Sequence, residues 1–145
     1  MSGAAADFAR SRIAGAPREI SFESSYPGTA DQPHIVRGDL AKIAEQCPMV
    51  DELVLLASEL ATNAILHSRS GDPGRWFTVR AVLYPGDYAW VEVADLGGAW
   101  GRSGRDDEHG RGLSIVAGVA GEGNWGIDGD DAARVAWFRL EWPHP

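Results

Sequence analysis

Apolar positions along this chain change period several times, and each change marks an element. Residues 19–24, Glu-Ile-Ser-Phe-Glu-Ser, alternate like a half-buried strand, and Tyr26-Pro27-Gly28 ends the run. Thr29 or Asp31 can cap a helix running to about Cys47, with Ile35, Val36, Leu40 and Ile43 on its inner face. Pro48 breaks it, and Asp51 opens a second helix ending near Ser68. There Leu53, Val54, Leu55, Leu56, Leu60, Ile65 and Leu66 leave no continuous solvent face, the pattern of a buried helix. Turn residues fill 70–74, and two strand-like runs follow at 76–84 and 88–95, joined by the hairpin turn Pro85-Gly86-Asp87. Residues 96–110 read as a long Gly-rich loop, and 113–119 as a short helix entered through Gly110-Arg111-Gly112. Residues 124–128 and 135–142 give two more strands about an Asp-Gly-Asp-Asp turn. The sum is an α+β fold, a two-layer sandwich of mostly antiparallel sheet with helices on one face. No repeat or linker divides residues 19–145, and residues 1–18, rich in Ala, Gly, Ser and Arg, read as a flexible N-terminal arm.

Against this apolar background, Glu59, Asn63 and His67 stand four residues apart. At about 100° per residue they form one narrow stripe, because a step of four advances only about 40°. A carboxylate and an amide on a buried helix must be hydrogen-bonded, paired or bound to something. The amide oxygen of Asn63 suits a hard cation such as Mg²⁺, which takes one or two protein oxygens and completes its shell with phosphates and water. Glu59, one turn earlier, is then placed as a general base. His67, at the end of a buried helix, reads as a structural hydrogen-bonder.

Two further sites carry chemistry. Asp95 closes a strand and is followed by Leu96-Gly97-Gly98, so a carboxylate acceptor lies beside glycines that let a planar ring approach the backbone. The plain alternative is a turn whose Asp bonds its own loop. Gly110-Arg111-Gly112-Leu113 stands at the expected entry to a helix, where free N–H groups favour phosphate oxygens. It is no dinucleotide fingerprint, since Ile115 holds the place of a third glycine.

Composition removes other readings. The net charge of −8 argues against nucleic acid as the main partner. Lys42 is the only lysine, which rules out a phosphate loop of the Gly-x-x-x-x-Gly-Lys type. Cys47 is the only cysteine, so a disulfide framework is absent, and a buried helix position explains it better than nucleophilic chemistry. The chain has no His-x-x-x-His, Cys-x-x-Cys or Gly-x-Ser-x-Gly, so a zinc hydrolase or serine esterase lacks its parts. With no apolar run of membrane-spanning length and no signal-peptide pattern, a cytoplasmic location is expected.

The order of these parts resembles the GHKL ATPase fold shared by gyrase, histidine kinases and the heat-shock chaperone ATPase. It is most similar to the anti-sigma-factor serine/threonine kinases of bacteria, the SpoIIAB/RsbW-like family. The run from Glu59 through Asn63 to Ser68 looks like their N-box, Asp95-Leu96-Gly97-Gly98 their adenine box, and Gly110 to Val116 their phosphate-side box. Asn124-Trp125-Gly126 and Val135-Ala136-Trp137-Phe138 look like the closing hairpin. The resemblance implies ATP and Mg²⁺ as cofactors, with Mg²⁺ on Asn63 and Glu59 as catalytic base. It implies Asp95 on the adenine amino group, Gly97 and Gly98 against the ring, and Gly110, Arg111, Gly112 and Leu113 at the phosphates. It further implies a serine on a STAS anti-anti-sigma protein as acceptor, a sigma factor as the sequestered partner, and a possible homodimer. Relatives often carry a second box glycine where this chain has Ala99, and Lys-Thr where it has Arg134-Val135. The acidic stretch Asp106-Asp107-Glu108 repels a triphosphate unless Arg102, Arg105 or Arg111 compensates. The alternative implied by these departures is a non-catalytic binding module with weak or lost nucleotide binding.

Overall fold

The computed structural model describes residues 19–98 and 106–143, without the side chains of 106–111. The expected N-terminal arm lies outside the described residues, as do Ala99, Arg102 and Arg105. Five strands, β1 (Ile20–Pro27), β2 (Trp76–Tyr84), β3 (Tyr88–Asp95), β4 (Trp125–Gly129) and β5 (Arg134–Glu141), pair antiparallel in the order β1-β2-β3-β5-β4. Three helices, α1 (Gln32–Ile43), α2 (Val50–His67) and α3 (Asp106–Ala120), accompany them, with a 3₁₀ turn at Arg69–Gly71. This is the α+β two-layer architecture that the periodicity implies.

Alternation decides which face of the sheet is covered. Phe77, Val79, Ala81 and Leu83 of β2 are buried, with Ala89, Val91 and Val93 of β3 and Ala136, Phe138 and Leu140 of β5. The register sets Val79 opposite Val93, Val91 opposite Phe138 and Val93 opposite Ala136, so these rows form one apolar floor. Leu40 of α1 and Leu53, Leu56 and Leu60 of α2 are buried in the same core. Each such side chain contributes roughly 1.5–3 kcal/mol by leaving water. The opposite face carries paired charges and aromatics. Arg80 reaches Glu23 at 3.1 Å and Glu92 at 3.2 Å, and Trp90 stacks on Trp137 with ring centroids 4.5 Å apart.

Several boundaries differ from the sequence reading. Strand β1 runs on through Tyr26 and Pro27, because an edge strand tolerates a missing N–H. Helix α1 ends at Ile43, so Cys47 is buried in the turn after it and not in the helix. Ile35 is 43% exposed, and α2 is not apolar-buried all round: Leu66 is 54% exposed, and Leu55 and Ile65 are half-buried. Lone exposed apolar side chains of this kind are ordinary. The largest difference is α3, which begins at Asp106 and not after Gly112. The Asp-Asp-Glu composition at 106–108 suits the positive end of a helix dipole, and periodicity alone did not register it.

Candidate functional site

Helix α2 presents the polar stripe to the interior. Glu59 is half-buried, Asn63 is 3% exposed and His67 is 9% exposed. The amide nitrogen of Asn63 is fully buried and makes no hydrogen bond among the described residues. Leaving such a donor unmade costs about 1–3 kcal/mol, so the amide is held there against its own solvation.

What lies over the stripe is α3, at Gly112. A methyl group on Gly112 would stand 3.2 Å from Glu59 Oε1, 3.3 Å from Asn63 Oδ1 and 3.5 Å from Asn63 Nδ2. The glycine therefore lets the two helices close directly upon the carboxylate and the amide. Glu59, Asn63 and Gly112 thus lie together, with the glycine inside a helix and not at the loop-to-helix junction expected for it. Gly110, Arg111 and Gly112 lie inside α3 and not at its entry, so their amides belong to the helix ladder and not to its free first turn. The side chain of Arg111 lies outside the described residues. Leu113 packs against the hydrophobic core.

The second group gathers at the end of β3. Asp95 is 4% exposed and its Oδ1 accepts from Gly97 N–H at 2.7 Å. Burial pushes the Asp95 carboxyl above the ordinary carboxylate range, against the opposing pull of the Gly97 amide and Arg134. Gly97 adopts φ +76°, and a Cβ there would fall 2.2 Å from the carbonyl oxygen of Asp131. Its lack of a side chain is thus demanded by the β4–β5 loop, whatever else approaches it. Gly98 N–H donates to the same Asp131 oxygen at 2.8 Å.

A hydrogen-bonded strap joins this group to the end of α2. Ser68 Oγ donates to Ala64 O at 2.6 Å and accepts from Ser70 N–H, and Ser70 Oγ accepts from Leu96 N–H at 3.0 Å. Arg69 N–H donates to Gly97 O at 2.7 Å, while its guanidinium reaches Asp131 O at 3.0 Å. The sequence reading named Ser68 only as the end of the N-box-like run, and it gave Arg69 and Ser70 no role, though they follow the stripe directly.

Arg134 was also missed as a site residue. It stands opposite Asp95 in the β3–β5 register, 7% exposed, with Nε 3.8 Å from Asp95 Oδ1. Burial lowers its guanidinium from the usual value, while Asp95 and then Asp131 pull it back up. Val135, by contrast, pairs with Ala94 on the opposite face of the sheet from Asp95. A hydroxyl at 135 would therefore point away from the carboxylate, and the residue that faces it is Arg134. An open cavity of about 620 Å³ lies elsewhere, between the end of β1 and the start of β2, lined by Tyr26, Pro27, Gly71, Pro73, Arg75 and Trp76 among others. Glu59, Asn63, Asp95 and Gly112 are not among its lining residues.

No family model and no curated protein matches the chain. Among solved structures, it is similar to that of the RsbU and RsbW domains of Rv1364c from Mycobacterium tuberculosis, with a TM-score of 0.63 at 18% identity. The match covers 86% of this chain and 34% of that one, so the chain spans about a third of its length. The two share a fold. Among the described residues, no helix is long and apolar enough to cross a membrane.

Proposed function

We propose that this chain is a Mg·ATP-dependent regulatory protein serine kinase of the anti-sigma type, acting on a STAS-domain acceptor and sequestering a sigma factor. The observation that carries the reading is the seam where Glu59 and Asn63 of α2 meet Gly112 of α3, with the Asn63 amide nitrogen buried and unbonded. A buried carboxylate and amide kept for structure alone would have their hydrogen bonds filled. Likeness to the Rv1364c domain structure supports the fold on which the reading rests.

The residues fit magnesium delivered with a nucleotide. Asn63 offers one neutral amide oxygen, a sparse protein contribution of the kind Mg²⁺ accepts when phosphates and water complete its shell. When bound, the ion would neutralise charge on the phosphate oxygens. The chain's own groups would then do the rest. Glu59 would accept the proton of the acceptor hydroxyl as the serine oxygen bonds to the γ-phosphorus and the bond to ADP breaks. Asp95 would accept from the adenine amino group. Gly110, Arg111 and Gly112 would serve the phosphates once α3 parts from α2 at Gly112, where even a methyl group would stand 3.2 Å from Glu59 and 3.3 Å from Asn63.

That same contact favours a second reading, a non-catalytic binding module in which α3 stays closed on α2. A thermal midpoint measured with and without excess ATP and Mg²⁺ separates the two. Ligand at 100 times its dissociation constant adds about 2.7 kcal/mol, a shift of several degrees in a domain of this size. A magnesium-dependent rise that Asn63→Ala abolishes supports the nucleotide site, and transfer of labelled phosphate to a STAS acceptor serine supports the kinase. Firm ATP binding without transfer to a bound acceptor sinks the kinase reading. No rise at millimolar nucleotide leaves the binding module. Self-pairing belongs to the same proposal, with β1 as an edge strand.

A further inference from the structure

Strand β1 leaves its inner row half open. Ile20 and Phe22 pack against the core but are only half-buried, whereas the matching rows of β2, β3 and β5 are buried. Gly28 N–H donates to Arg75 O at 3.0 Å, and the antiparallel ladder alternates back along β1 from there. Backbone groups of the even-numbered residues therefore turn to β2. Those of Ser21, Glu23 and Ser25 turn outward, where no strand pairs with them among the described residues. Folded proteins blunt or cover such an edge. On β1 the only charge is Glu23, and the only proline is Pro27 at its last position. At that end lies the cavity of about 620 Å³, where Trp76 is 46% exposed.

Charge and reach choose the occupant. A second copy of β1 would bring to Glu23 a further carboxylate and no cation. Residues 1–18 bring three arginines against one aspartate, in a chain of net charge −8. On the outer face Glu23 and Glu92 flank Arg80, so a cation beside Glu23 would continue an alternating row. Residues 8–13, Phe-Ala-Arg-Ser-Arg-Ile, alternate too, with Arg10 and Arg12 in one phase and Ile13 in the other. Eight residues of β1 span roughly 27 Å, a length that nine or ten residues turned back ahead of Glu19 can follow.

A single antiparallel register meets these conditions together. With Arg12 opposite Glu23, Ile13 stands opposite Phe22, and Phe8 stands opposite Pro27 at the cavity beside Trp76. The turn then falls at Pro17-Arg18, with proline at the corner position that its fixed φ suits. We propose that the free edge of β1 and the cavity at its end are the docking site for this chain's own residues 8–16, with Arg12 beside Glu23. The edge is open to a second copy only when that segment leaves it. None of this depends on the nucleotide-site reading.

Two measurements on the full chain test the assignment. Ser11→Cys with Ser24→Cys places two thiols opposite each other in this register, and Cys47 is buried. Mild oxidation should close that intrachain disulfide about tenfold faster than the pair Ala14→Cys with Ser24→Cys, although an unattached segment would close the second, shorter loop sooner. A second pair that closes as fast or faster overturns the assignment, and so do disulfide-linked dimers, which would give the edge to a second copy. Amide hydrogen exchange at Ser21, Glu23 and Ser25 should be about tenfold slower in the wild type than in Arg12→Glu, with Arg12→Lys close to wild type. Equal exchange in the wild type and Arg12→Glu overturns the assignment, as does protection that grows with protein concentration.

Discussion

The two ends of the α2 stripe are built on opposite terms. At the β3 end, Asp95, Gly97, Gly98, Ser70 and Arg69 are joined through successive hydrogen bonds, and Arg134 is ion-paired with Asp95 at 3.8 Å. At the α3 end, Asn63 Nδ2 is buried without a hydrogen bond among the described residues, and Gly112 lies against Glu59 and Asn63. The first end is preorganised and the second is under-satisfied. The proposed nucleotide site would use both, because preorganisation lowers the cost of binding while an unmet polar group supplies a differential that favours the bound state.

The comparison breaks most readily at Asp95. Asp95→Asn leaves the Arg134 guanidinium buried beside a neutral amide, and loss of about 3 kcal/mol in urea unfolding is expected from removing one partner of a buried pair. A loss below about 1 kcal/mol would show that the ion pair stabilises little. Ser70→Ala removes the acceptor for Leu96 N–H at a position 0% exposed, and about 1–2 kcal/mol should be lost. Its effect on nucleotide affinity should exceed that of the similarly buried Ser58→Ala, whose hydroxyl only bonds within α2.

Smaller effects sharpen the other side. Asn63→Leu replaces an unbonded amide with an isosteric apolar group, so stability should hold or rise by up to about 1 kcal/mol while any magnesium-dependent ATP shift vanishes. A large loss of stability would mean that Asn63 is structural. Gly112→Ala should change stability least. The gain in helix propensity, about 1 kcal/mol, offsets the crowding of Glu59 and Asn63 at 3.2 and 3.3 Å, while ATP affinity should fall.

The pH dependence follows from the sign at Asp95. Its folded carboxyl lies above the ordinary value, so the native state holds the proton more tightly than the unfolded chain. That contribution to stability is fully present below the ordinary carboxylate value and is lost as pH rises through the range up to the elevated one. Arg134 favours the anion, so Arg134→Met should extend the loss to higher pH, seen as a steeper fall in urea midpoint relative to wild type. An unchanged profile would show that the two groups are not electrostatically coupled.

The α+β class, the sheet strands and the two long helices were legible because their periods of two and 3.6 are local properties of the chain. Glu59, Asn63 and Gly112 were also nameable, since polar groups in apolar company and paired glycines are visible in one dimension. The start of α3 was not legible, because glycines and acidic residues obscured a helix whose support comes from packing on α2. Arg134 was nameable only as a departure, and Val135 drew the attention that belonged to it. Which of the two neighbours faces Asp95 depends on register, and a shift of one residue exchanges the faces of a strand.

By itself, then, the sequence determined the elements, the apolar floor and the types of group available for chemistry, because each follows from residue spacing along the backbone. The tertiary structure alone decided that Gly112 closes on Asn63, that Asp131 requires Gly97, and that Arg134 meets Asp95. Those contacts join residues far apart in the chain, and only strand register and helix packing bring them to within a few ångströms of one another.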